Sequence, residues 1–96
     1  MKKYECVIIV SPNLTENKLT ETIEKISNKI KEVAKITEVK RLGKKKLAYP
    51  VKSYNEGNYI AYEFGSNKSR NNSTKLIETF IKTQDEIIKY IMVGRD

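Results

Sequence analysis

Ninety-six residues with 19 Lys and Arg against 12 Asp and Glu, a net charge of +7, allow one domain (1–96) around a single modest core. No apolar run approaches the roughly 18–20 residues of a membrane span, and the run at residues 6–10 is shorter than the roughly 7–15-residue core of a secretory signal. A cytoplasmic chain is therefore expected, with the lone Cys6 an inert buried thiol, because no histidine exists to activate it.

Residues 3–11 alternate as a strand, with Tyr4, Cys6, Ile8 and Val10 on one face and Lys3, Glu5, Val7 and Ile9 on the other. Ser11-Pro12-Asn13 breaks it, and Thr15 is placed to cap a helix. Leu19, Ile23, Ile26, Ile30 and Val33 follow at helical spacing, while the opposite face mixes acids and lysines as a solvated surface does. Residues 36–42 read as a second strand, with Gly43 marking a bulge or bend. Residues 47–51 continue as extended chain, and Pro50 fits only an edge or a strand end because it cannot donate to a ladder.

The spacing then predicts a polar turn over 52–58, centred on Asn55-Glu56-Gly57, and a strand over 59–64. In that strand Ile60, Tyr62 and Phe64 share one face and Tyr59, Ala61 and Glu63 the other. A polar loop over 65–72 leads to a second helix capped by Ser73 and carrying Leu76, Ile77, Phe80 and Ile81. Thr83-Gln84-Asp85 ends it, and 87–93 is β-branched and aromatic enough for a last strand. The order β-α-β-β-α-β has one common compact solution, an α+β ferredoxin-like split βαβ fold. Two helices cover one face of a four-stranded antiparallel sheet, the first and third strands are central, and the other sheet face is open to a partner.

Charge is concentrated in one place. Between residues 39 and 55 lie Lys40, Arg41, Lys44, Lys45, Lys46 and Lys52, and no acid. Lysines on an edge strand can serve to prevent edge-to-edge pairing, but that explains two or three lysines, not six basic residues. Clustered basic charge on an ordered segment is the footprint of a polyanion, and nucleic acid is the expected one. Catalysis has little support: there are no paired cysteines, no phosphate-cradling glycine loop and no carboxylates at metal-ligand spacing. Neither an enzyme, a metal site nor a cofactor is expected.

The stretch Gly43-Lys44-Lys45-Lys46-Leu47-Ala48-Tyr49-Pro50-Val51-Lys52 closely resembles the signature of the bacterial small-subunit ribosomal protein number six family. Met1-Lys2-Lys3-Tyr4-Glu5 is similar to that family's start, Gly57 with Tyr59 and Tyr62 suits its third strand, and residues 85–93 are similar to its last strand. Lys46 stands where a polar or acidic residue is common, Val51 stands where isoleucine is usual, and the 65–72 loop is longer than its counterparts.

The resemblance implies a non-enzymatic constituent of the small ribosomal subunit. It would bind the central domain of small-subunit ribosomal RNA together with ribosomal protein number eighteen, as a heterodimer. On that reading Lys44, Lys45, Lys46 and Lys52 neutralise phosphates beside Arg41, and Tyr49 and Pro50 hold the strand that presents them. Lys2, Lys3 and Lys89 extend the positive surface. Val7, Ile9, Tyr59 and Ala61 are candidates for the partner-protein surface, or are ordinary half-buried sheet.

An alternative is a free-standing RNA-recognition module, because residues 57–64 bear a faint similarity to the third-strand motif that stacks bases on open-face aromatics. Asn58 and Ile60 occupy the motif positions where the stacking rings would sit, and Tyr62 and Phe64 read as core.

Overall fold

The computed structural model describes residues 2–66 and 72–95, without the side chains of Lys2, Ser66, Asn72, Ser73 and Arg95. Six elements follow in order: β1 (Lys2–Val10), α1 (Glu16–Val33), β2 (Lys35–Val51), β3 (Tyr54–Ser66), α2 (Asn72–Lys82) and β4 (Ile87–Arg95). The strands form one antiparallel sheet in the order β2-β3-β1-β4, so β1 and β3 are central. Both helices lie on one face, as the element order predicts.

The helix boundaries have local causes. Thr15 Oγ1 accepts from the Lys18 backbone N–H at 3.2 Å, satisfying a first-turn donor that has no partner within the helix. At the other end Ala34 is fully extended (φ −154°, ψ 178°), which stops α1. Leu19, Ile26 and Ile30 are buried as the stripe predicts, and Ile23 and Val33 pack partly against the core. Thr22 is buried with them; its hydroxyl donates to the Lys18 carbonyl at 3.0 Å, so no polar group is stranded.

From the sheet the core takes Cys6, Ile8, Val10, Ile60, Tyr62 and Phe64, and from α2 it takes Ile77 and Ile81. Tyr62 is fully buried, and its hydroxyl donates to the Ile23 carbonyl at 3.0 Å, tying β3 to α1. Desolvation, with a smaller contribution from Glu78, pushes the Cys6 thiol up to about 12 from 9.0. A thiol so held is protonated and unreactive at neutral pH.

Three expectations need correction. The second strand is longer than the expected 36–42: residues 35–51 form one strand, which takes in the extended chain of 47–51. The reversal lies at Lys52-Ser53, both in the left-handed region (φ 51° and 71°), the backbone that a two-residue hairpin loop requires. Asn55, Glu56 and Gly57, read as the turn, belong to β3, with Gly57 paired to Lys45 and Glu56 to Lys46. Gly57 is needed there for another reason: a Cβ would collide with Cγ2 of Ile9, which crosses over it from β1. Of the expected 65–72 loop, Gly65 and Ser66 complete β3 and Asn72 opens α2, so Ser73 falls inside the helix and not at the expected cap position; residues 67–71 lie outside the described residues.

Candidate nucleic-acid interface

The basic segment forms an arm, the end of the β2–β3 hairpin. β2 is an edge strand and is exposed along nearly its whole length. At its middle the register slips by one residue between Arg41 and Gly43, and Gly43 takes φ +87°. This is a bulge at a glycine, where the left-handed backbone costs least. Beyond it Lys44 pairs with Asn58, Lys45 with Gly57 and Lys46 with Glu56. A second irregularity lies between Lys46 and Val51, where four residues of β2 face one of β3. Pro50 sits in this stretch, off the regular ladder, where its missing N–H removes no bond.

Those extra residues fold back over the face that the fold class leaves open. Leu47, Ala48, Tyr49 and Val51 line a small cavity with Ile9, Tyr59, Lys89 and Ile91. Lys89 Nζ donates to the Tyr49 hydroxyl at 3.3 Å and lies 5.4 Å from that ring's centre. The arm thus reaches across β1 to β4. At its tip Lys52 lines a groove with Lys82, Gln84, Asp85 and Lys89, at the turn between α2 and β4.

The cations of this region differ in their partners. Arg41 Nη2 meets Glu16 Oε1 at 2.9 Å, and Lys40 Nζ meets Glu38 Oε2 at 3.5 Å. Lys45 Nζ stands 5.8 Å from the centre of the Tyr59 ring. Among the described residues Lys44, Lys45, Lys46 and Lys52 form no ion pair with a carboxylate. All four are exposed, and their charge is available to an outside anion.

Of the remaining basic candidates, Lys89 is gathered against the arm and Lys2 and Lys3 are not. Lys3 lies at the opposite end of β1, lining a cleft with Thr37, Glu63 and Val93. Six residues separate it from Ile9, roughly 20 Å of strand. Lys2 is in β1, and its side chain lies outside the described residues. Lys89 is held by Tyr49.

The four apolar candidates form one block on the sheet, since Val7 pairs with Ala61 and Ile9 with Tyr59. They are unequal as a contact surface. Ile9 and Ala61 are 3% and 7% exposed, already covered within the chain, while Val7 and Tyr59 are half-buried. Ile91, beside Val7, and Val93, beside Glu5, are 45% and 46% exposed and were not among the sequence candidates. Alternation with Lys89 was the signal that could have found them. The positions aligned with stacking rings do not serve: Ile60 is in the core and Asn58 Nδ2 donates to the Ser11 carbonyl at 3.1 Å.

A family model described as ribosomal protein S6 matches residues 3–94. The chain belongs to the ribosomal protein S6 family of the small ribosomal subunit. The small ribosomal subunit protein bS6 of Clostridioides difficile is 37% identical over 97 residues, covering 97% of this chain and 98% of its own. The bS6 protein of Moorella thermoacetica is 32% identical over 93 residues, covering 96% and 92%. Among solved structures, 30S ribosomal protein S6 from Thermotoga maritima superimposes with a TM-score of 0.88 at 30% identity, over 98% of this chain and 87% of that one. The C-terminal domain of the MgtC protein from Mycobacterium tuberculosis matches with a TM-score of 0.59 at 7% identity, covering 99% and 88%, a likeness of fold alone.

Among the described residues no group of three or more His, Cys, Asp and Glu is placed to hold a metal ion, and no helix is long and apolar enough to cross a membrane.

Proposed function

We propose that this S6-family chain acts as a single structural domain, without catalysis, that binds the central domain of small-subunit ribosomal RNA jointly with ribosomal protein number eighteen. The observation that carries the reading is the arm of β2. Lys44, Lys45, Lys46 and Lys52 stand exposed and, among the described residues, without carboxylate partners, in the segment whose sequence resembles the family's signature. Lysines in this state gain from replacing condensed counterions on a phosphate backbone, and that gain falls steeply with salt. Phosphate contacts orient a protein without reading sequence, so specificity would come from RNA shape and from the surface shared with the partner protein.

Val7, Tyr59, Ile91 and Val93 support a protein contact on the sheet face, because they leave apolar area in water between β3 and β4. Heterodimer formation would bury it. Ile9 and Ala61 would back that surface from within, not form it. A cytoplasmic location within the small subunit follows from the same reading.

Co-sedimentation is the test. A tagged chain expressed in a bacterial host should migrate with small ribosomal subunits on a sucrose gradient at low salt and leave them at high salt. A chain found only at the top of the gradient at all salt concentrations overturns the proposal.

A further inference from the structure

Three consecutive lysines in a strand cannot face one surface, because successive side chains alternate across the sheet. The register decides which goes where. Lys45 pairs with Gly57, and its ammonium lies over Tyr59, an open-face residue paired with Ile9. Lys44 pairs with Asn58, whose side chain reaches the Ser11 carbonyl, and Lys46 pairs with Glu56 two residues away. They share the face of Ile60 and Tyr62, on which Arg41, ahead of the bulge, meets Glu16 at the start of α1. Val10 of β1 makes its last pair with β3 at Asn58, so beyond Lys44 and Asn58 the arm is a two-stranded ribbon. Cations stand on both of its sides: Lys45 on the open-face side, and Lys46, with Lys44 at the ribbon's base, on the helix side. All three are exposed, and among the described residues none has a carboxylate partner.

We propose that this ribbon enters a cleft between two backbone segments of folded RNA, with Lys45 on the phosphates of one wall and Lys44 and Lys46 on those of the other. A protein lying on a single flat RNA surface would use one of these faces and leave the other's charge in solvent. Side chains from the two faces span on the order of 10 Å, the spacing of packed sheets, so the walls are that far apart or more. The deep major groove of regular A-form RNA is too narrow for side chains to read, so the cleft belongs to a junction, bulge or close approach of two helices.

The proposal rests on the ribosomal RNA reading above and deepens it. The experiment uses a central-domain ribosomal RNA transcript with ribosomal protein number eighteen present. Three chains are compared: the wild type, Lys45→Gln, and the double variant Lys44→Gln/Lys46→Gln. Affinity is measured against salt, and the RNA backbone is footprinted with hydroxyl radicals. The expected result is a shallower salt slope for both variants, by about one for the single and about two for the double. Each should lose protection on a different backbone segment, and Lys→Arg replacements should retain both slope and footprint.

A change in only one variant, or loss of the same segment in both, overturns the two-walled cleft while leaving the scaffold reading intact. No change in either overturns it too, and leaves these lysines the role of keeping the edge from pairing. A wild-type chain that does not bind the transcript overturns the ribosomal RNA reading itself, and this proposal with it.

Discussion

Two stretches of the same strand, residues 38–41 and 44–46 of β2, carry similar cations in opposite circumstances. In the first, Lys40 is matched by Glu38 and Arg41 by Glu16 on α1. In the second, three lysines in a row have no carboxylate partner among the described residues. Gly43, with its bulge, stands between them. Charge that the fold answers internally belongs to the fold, and charge left unanswered on an exposed arm is available to a partner. Counting basic residues in the sequence puts all six in one class, and the structure divides them.

Removing the unmatched set has the largest expected effect. Lys44→Gln/Lys45→Gln/Lys46→Gln should lower the magnitude of the salt slope for binding the central-domain transcript with protein eighteen by about three. Thermal unfolding should stay close to wild type, since the side chains touch little of the core.

Gly43→Val probes the boundary between the two stretches. No neighbour lies within 4 Å of its added Cβ, so the cost is that of a left-handed backbone at a β-branched residue, about 1–2 kcal/mol in urea unfolding. Relief of that strain by removing the bulge would exchange the faces of Lys44, Lys45 and Lys46, which footprinting would detect.

Glu16→Gln should turn a matched cation into an unmatched one. With Arg41 released, the salt slope should steepen by up to about one. Stability should fall by less than about 1 kcal/mol, because the pair is solvent-exposed on both sides. Glu38→Gln should do least. Its ion pair with Lys40 is exposed and 3.5 Å long, and a shift beyond about 0.5 kcal/mol in unfolding would count against the view that it merely balances charge.

The packed half of the molecule was legible because burial leaves a period in the sequence. Tyr4, Cys6, Ile8 and Val10 alternate, Leu19 to Val33 recur at helical spacing, and both patterns survive into the core. What escaped depends on contacts between distant segments. Lys52-Ser53 has none of the glycine or asparagine that marks a left-handed turn, so the reversal was displaced onto Asn55-Glu56-Gly57. Gly57 looked like a turn residue but is a close-approach residue under Ile9. The folding of Leu47 to Val51 over the sheet, which hides Ile9, and the pairing of Arg41 with Glu16 twenty-five positions away have no local signature. For the candidate interface the sequence shows where the charge is concentrated. It could not tell the lysines the fold satisfies from those it leaves free, nor show that Ile91 and Val93 complete the apolar face.

The central claim is that the arm's unanswered lysines bind phosphate. The most direct measurement is the salt dependence of wild-type affinity for the central-domain transcript in the presence of protein eighteen. Engagement of roughly four to six phosphates predicts a log–log slope of about −3 to −5, and a slope near zero would contradict the account.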